Sequence, residues 1–127
     1  MATVAYLDTH VVAWLFAGEL AQLSAPARRA LDNSELLVSR AVVLELQLLH
    51  EVGRATVGAE KVIDDLHRRL GLGVCDLPFL DVVKTALPST WTRDPFDRLI
   101  VAQAACRDST LVTKDRVLRR RYSAALW

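Results

Sequence analysis

The chain has 127 residues, 52% of them hydrophobic, and a formal net charge of +1. That length suits a single domain, residues 1–127, with one core, and the apolar content excludes an intrinsically disordered chain. The near-zero net charge argues neither for nor against a nucleic-acid partner, so local distribution carries that question. Cys75 and Cys106 form no C-x-x-C pair and sit in apolar surroundings, the pattern of buried free thiols in a reducing compartment. The uncharged run from Thr9 to Gly18 falls far short of the roughly 20 residues that span a bilayer, so a cytoplasmic protein without membrane contact is expected.

Thr3-Val4-Ala5-Tyr6-Leu7 is a short apolar run ending at Asp8 and reads as a buried strand. Thr9 to Ala17 reads as a helix closed by Gly18, and Ser24 is placed to cap a helix across Pro26 to Leu31. Glu35 to Val38 is a second strand, and Ser39 leads into a helix that runs to about Gly53. Val62, Ile63, Leu66 and Leu70 recur at helical spacing between Gly58 and Gly71. Gly73 to Leu77 is a third strand before Pro78, and Leu80 to Leu87 a short helix stopped by Pro88. A helix opened by Asp94 ends near Arg107-Asp108, Thr110 to Thr113 is a fourth strand, and Asp115 begins a basic helix. Ala124 to Trp127 adds an edge strand or packs a terminal Trp. Apolar strands alternating with helices predict an α/β sandwich of three layers, a central, mostly parallel sheet flanked by helices.

Acidic residues interrupt this pattern. Asp94 stands at an N-cap with Pro95 at the first helical position, and Asp97 falls at the third, so capping explains both carboxylates locally. At about 100° per residue, however, Asp97 shares a face with Ile100, Val101, Ala104 and Ala105. The same period gathers Ala41, Val42, Leu48, Leu49 and Val52 around Glu45, with Gln47, His50 and Glu51 on the other side. A mid-helix acid cannot be a cap, and an unpaired carboxylate on an apolar stripe needs a partner. A buried arginine such as Arg40 or Arg98 is one candidate, and a metal ion is the other. Asp8 and Asp115 lie just past the carboxyl ends of two expected strands, where each caps a helix or faces a ligand.

Carboxylates gathered at ~4 Å repel by several kcal/mol at protein-surface dielectric, so a shared cation is the simplest resolution. All-oxygen ligation selects Mg²⁺ or Mn²⁺ over Zn²⁺. No histidine and cysteine set has zinc spacing. His10 reads as a helix-start or packing residue, and His50 and His67 as solvent-face residues. Five basic residues between Lys114 and Arg121 read equally as a solvated helix end or a phosphate-binding cluster.

The residues then match a known pattern across nearly the whole chain: Tyr6-Leu7-Asp8-Thr9-His10 with Trp14-Leu15, Leu23-Ser24, Ser39 six residues before Glu45, Gly53-Arg54, the segment from Arg93 to Ala104, and Leu111-Val112-Thr113-Lys114-Asp115. The chain resembles the PIN-domain ribonucleases, most closely the toxin members of bacterial VapBC-type toxin–antitoxin modules. The segment around Asp94 is the specific part. Ala55 to Leu87 carries little of the pattern.

The resemblance implies a Mg²⁺- or Mn²⁺-dependent endoribonuclease that leaves 5′-phosphate and 3′-hydroxyl ends. By position, Asp8, Glu45 and Asp97 resemble the core acidic ligands, Asp115 the fourth acid and Asp94 an accessory one. The inward phase of Asp97 favours it over Asp94 as ligand. Thr9, Ser39 and Thr113 resemble hydroxyls that orient carboxylates. Arg93, Arg98, Lys114, Arg116 and Arg119 are candidates to hold the RNA backbone. A cognate antitoxin is implied as partner, as are a toxin homodimer and a heterotetramer or larger assembly with the antitoxin; Trp14 and Phe16, if exposed, suit an interface. Two other readings differ in class. A phospho-receiver domain accounts for Lys114 after a late strand, but it wants a second acid where Thr9 follows Asp8 and leaves Glu45 unexplained. A PIN fold used only for binding keeps the acids for structure.

Overall fold

A computed structural model of the chain describes residues 3–127. In order, the elements are β1 (Thr3–Leu7), α1 (Thr9–Ala17), a short 3-10 turn (Leu20–Gln22), α2 (Ala25–Asn33), β2 (Ser34–Val38), α3 (Arg40–Glu51), α4 (Ala59–Leu70), β3 (Gly73–Val74), α5 (Phe79–Ala86), α6 (Pro95–Ala105), β4 (Thr110–Val112), α7 (Arg116–Arg121) and β5 (Ala125–Leu126). The strands form one five-stranded sheet in the order β3-β2-β1-β4-β5. Every pairing is parallel, with Tyr6 opposite Leu37 on one side and Leu111 on the other.

Consecutive residues Ala5, Tyr6 and Leu7 are all buried, as are Leu111 and Val112. Neighbours along a strand point to opposite faces, so burial of every one means that helices cover both faces of the sheet. This is the expected α/β sandwich. The Tyr6 hydroxyl donates to Cys75 Sγ at 3.1 Å, and Gln103 Nε2 on α6 donates to the same sulfur at 3.2 Å, which satisfies the polar atoms of a buried layer. Burial and the bond to Cys75 raise the Tyr6 phenol above its ordinary range. A smaller cluster of Val82, Ala86 and Ala102 fastens α5 to α6. Among the described residues no helix is long and apolar enough to cross a membrane.

The topology places the site. From β1 the chain builds outward through β2 to β3, then returns to the other side of β1 for β4 and β5. The order therefore switches direction between β1 and β4, and a crevice opens beyond their carboxyl ends. Asp8 follows β1 and Thr113 follows β4, with Asp8 N donating to Val112 O at 3.1 Å across the junction. Gly18 ends α1 with φ of 73°, a conformation that an L side chain rarely adopts, and its N–H returns to Leu15 O and Trp14 O.

Several elements differ from expectation for identifiable reasons. The third strand stops at Val74 rather than Leu77, since it is an edge strand running into Pro78, although Cys75 N still donates to Val38 O at 2.9 Å. The Asp94 helix ends at Ala105, short of Arg107-Asp108, where Asp108 turns to φ of 49°. Cys75 is buried as expected, but Cys106 is half-buried at the end of α6 with its thiol toward Thr85 Oγ1. On α3 the buried face is Ala41, Val42 and Leu46, while Leu48 and Val52 are exposed at 39% and 69%. Glu45 therefore lies at the border of the apolar stripe, not at its middle. That position gives its carboxylate one side in protein and one in the crevice. The chain end forms the edge strand β5 and also packs Trp127, so both expected alternatives occur.

Candidate active site

Asp8 is 8% exposed and closes the N-terminus of α1. Its Oδ1 accepts from Thr9 N at 2.8 Å, and its Oδ2 accepts from the buried Thr113 hydroxyl at 2.6 Å. Thr113 Oγ1 in turn accepts from Asp115 N at 3.1 Å, so one threonine couples the acid after β1 to the turn after β4. Thr9, also buried, donates its hydroxyl to Glu45 Oε1 on α3. Two of the three expected orienting hydroxyls thus hold carboxylates. Ser39 is different: its Oγ accepts from Ala41 N at 3.1 Å, so it caps the helix that carries Glu45 and acts on that acid only through the helix start.

Asp8, Glu45, Asp97 and Asp115 come from four separate elements or their caps and line a single cavity of about 290 Å³ with His10, Trp14 and Lys114. Asp94 is not among the lining residues. It caps α6, its Oδ1 accepting from Phe96 N at 2.8 Å and Asp97 N at 3.3 Å. Asp115 caps α7 in the same way, through Val117 N at 2.8 Å and Leu118 N at 3.1 Å, yet also borders the cavity. Asp94→Ala is expected to cost about 1 kcal/mol by loss of the cap, and Asp94→Ser to recover most of it, as thermal denaturation will read. A larger cleft of about 700 Å³ lies between α3 and the start of α4, but Glu60 is its single acid and it carries no comparable set.

The electrostatics follow from burial without compensation. Ion pairs among the described residues involve Asp65 with Arg69 and Asp76 with Arg107, and none involves the cavity acids. The arginines that could have paired with Glu45 are engaged elsewhere: Arg40 Nη1 donates to Leu77 O, and Arg98 Nη2 donates to Ala86 O and Leu87 O. Burial raises the Asp8 carboxyl above its ordinary value, against the bonds from Thr113 and Thr9. Burial likewise raises Glu45, partly offset by Thr9, with the charges of Asp8 and Asp94 adding to the rise. Asp97 is pushed up to about 7, first by burial and then by Asp94, Asp8, Asp115 and Glu45. Each is held where its charge lacks a counterion.

That donor set is all oxygen, open on one side and anionic. Among the described residues no three acid, histidine or cysteine side chains lie close enough, as they stand, to hold a metal ion between them. An open cluster suits a small hard cation that keeps part of its water shell and does not demand an all-protein cage. Asp8, Glu45, Asp97 and Asp115 are the residues that would hold it.

The expected phosphate contacts are distributed unevenly. Lys114 lines the acidic cavity, and Arg116 is exposed at the first turn of α7. Arg119 Nη2 donates to Lys114 O at 3.3 Å while its Nε is buried without a partner. Arg93 and Arg98 border a different cleft with Pro95, Arg93 donating to Thr90 O at 2.9 Å and Arg98 tying α6 to the end of α5. Arg98→Ala is expected to lower stability by about 1.5–3 kcal/mol through loss of its bonds to the end of α5, which denaturant melts check. His10, read from the sequence as a helix-start or packing residue, and Trp14, read as suited to an interface, both line the cavity. The available signal was spacing: both lie within the first two turns after Asp8, one turn apart on α1.

The relationships of the chain agree with this geometry. Residues 5–123 match the PIN domain family model. The chain is 36% identical over 124 residues to Ribonuclease VapC22 of Mycobacterium tuberculosis, covering 92% of this chain and 91% of that protein. Its fold is similar to that of VapBC2 from Rickettsia felis bound to a promoter DNA fragment, with a TM-score of 0.65, 17% identity and coverage of 93% and 92% of the two chains. VapBC-1 of nontypeable Haemophilus influenzae superposes with a TM-score of 0.58 at 17% identity over 98% of this chain and 96% of that one. A matched model that spans all but the ends, on a parallel sheet with acids at its switch point, leaves one assignment: the chain belongs to the PIN domain family.

Proposed function

We propose that this chain is a metal-dependent endoribonuclease of the VapC kind, the toxin of a toxin–antitoxin pair. The observation that carries the reading is the cavity at the β1–β4 switch point, which Asp8, Glu45, Asp97 and Asp115 line together, none of them in an ion pair among the described residues. The 36% identity to a ribonuclease over nearly the full length supports it. Mg²⁺ or Mn²⁺, bound by these acids, would lower the pKa of a bound water and offset the charge of the scissile phosphate.

The chain's own residues divide the remaining work. Thr113 and Thr9 fix the orientations of Asp8 and Glu45 before substrate arrives, so little reorganisation is required at the moment of reaction. Lys114 at the cavity rim meets the phosphate backbone, and Arg116 extends that contact along α7. Without these cations the acidic cavity would repel RNA. An antitoxin partner belongs to the same reading, supported by the VapBC structures that share the fold.

Incubating antitoxin-free protein with mixed tRNA and rRNA fragments tests the proposal. Endonucleolytic fragments with 5′-phosphate ends are expected with Mg²⁺ or Mn²⁺ and none with EDTA. Intact RNA in every condition would return the chain to a PIN fold used for binding alone.

A further inference from the structure

One wall of the acidic cavity is not acidic. Trp14 stands there half-buried on α1, one turn beyond His10. The Trp127 ring braces it, with centroids 5.6 Å apart and planes tilted by 53°. The His10 ring lies 6.2 Å away at 47°. The brace is tied to the site: Thr113 N donates to Leu126 O at 3.0 Å, so the same turn that holds Asp8 also holds the strand that leads into Trp127. Lys114 Nζ rests 5.9 Å from the Trp14 ring centroid and borders the same cavity.

Trp14 and Trp127 pack partly against the core and leave the rest of their apolar surface at a polar rim. An indole with a fixed tilt offers a flat π-face at which a nucleobase can stack. The ammonium beside it is a compact charge on a flexible stem, able to leave the ring for a phosphate. Resting on the ribonuclease reading above, we propose that Trp14, braced by Trp127, stacks an unpaired base adjacent to the scissile phosphate, and that Lys114 passes from the indole to the neighbouring phosphate as the base arrives. Trp14 also borders an apolar cleft of about 370 Å³ with Phe16, Leu46, Leu49 and Val57, where a protein segment is the competing occupant. The cation on the ring, with the metal ion that the neighbouring acids would hold on the ribonuclease reading, favours a ligand that carries phosphate.

The test compares Trp14→Leu, which keeps apolar volume without a π-face, with Trp14→Phe, which keeps one. Cleavage of mixed tRNA fragments gives kcat/KM, and fluorescence anisotropy of a short oligoadenylate gives Kd in an Asp97→Asn background, where binding is read without cleavage. Trp14→Leu is expected to weaken Kd and kcat/KM by about tenfold, and Trp14→Phe to stay within about threefold. An abasic nucleotide next to the mapped cleavage position should weaken the wild type and leave the Trp14→Leu variant indifferent; this readout needs no change in the protein and so does not depend on variant folding. Cleavage by the wild type with a folded Trp14→Leu variant of equal kcat/KM overturns the stacking role alone. A loss confined to antitoxin association also overturns it and assigns Trp14 to the protein surface. A wild type that cleaves no RNA overturns the ribonuclease reading, and stacking falls with it.

Discussion

Asp97→Asn is expected to lower RNA cleavage by at least about 10²–10³-fold while leaving the fold intact. The substitution keeps size and shape, and Asp97 makes no side-chain ion pair that the fold would lose. What it removes is the carboxylate that projects from the first turn of α6 into the cavity. Glu45→Gln is expected to act similarly, since Glu45 supplies the charge from α3 and retains, as Gln, an oxygen for Thr9 to bond. Thr113→Val tests orientation separately. It removes the hydroxyl that bonds Asp8 Oδ2 at 2.6 Å, and a loss of about 10–100-fold is expected, smaller than loss of the acid itself. Initial rates on a labelled RNA with Mn²⁺ in excess read all of these. Activity of Asp97→Asn within a few-fold of wild type would remove Asp97 from the site.

Metal-free protein is expected to become less stable as pH rises from about 5 to about 8, the reverse of ordinary acid denaturation. The sign comes from Asp97, whose carboxyl moves from its ordinary value of 3.8 to about 7 in the folded chain. Between those values the folded state holds a proton that the unfolded state has released. The stabilising contribution is therefore complete below the unfolded value and lost as pH climbs through about 7. Asp8 and Glu45 shift in the same direction and reinforce the slope. The full shift overstates the effect in a cavity open to water; a discounted contribution on the order of 1 kcal/mol from Asp97 corresponds to roughly 4 °C in Tm. Scanning calorimetry in EDTA at both pH values should show this fall in the wild type and a flatter profile, with a higher Tm at the upper pH, in Asp97→Asn. Mn²⁺ should restore the wild-type Tm at the upper pH and do little at the lower one, where protons already occupy the acids. A Tm that rises with pH in EDTA would contradict the uncompensated cluster.

Much of this arrangement was legible in the sequence because local chemistry and global position agreed. Thr3 to Leu7 had the length and apolar run of a buried strand, and Asp94-Pro95 fixed the start of α6. From that start, helical phase alone turned Asp97 toward Ile100, Val101 and Ala104, which the structure buries. Glu45 was recognisable as anomalous, though its surroundings were not: a periodicity argument weights all apolar residues alike and could not tell that Leu48 and Val52 lie beyond the reach of the core. Arg98 shows a different limit. Its charge suggested phosphate, but its reach to the carbonyls at the end of α5 depends on how α5 and α6 pack, which no local pattern encodes. Ser39 and Thr113 are both hydroxyls beside acids in sequence or space. Only the parallel pairing of β1 with β4 brings Thr113 onto Asp8, whereas Ser39 caps the start of α3 through Ala41 N. The aromatic brace from Trp127 to Trp14 joins the two ends of the chain and likewise required the fold.

Asp8, Glu45, Asp97 and Asp115 are expected to share a divalent cation, which calorimetric titration of Mn²⁺ into the isolated protein at about pH 8 will test. Saturable binding is expected in the wild type, with proton release as the raised carboxyls ionise, and its loss in both Glu45→Gln and Asp97→Asn. Mn²⁺ binding that survives both substitutions, or folded wild-type protein that takes up no cation, would contradict it.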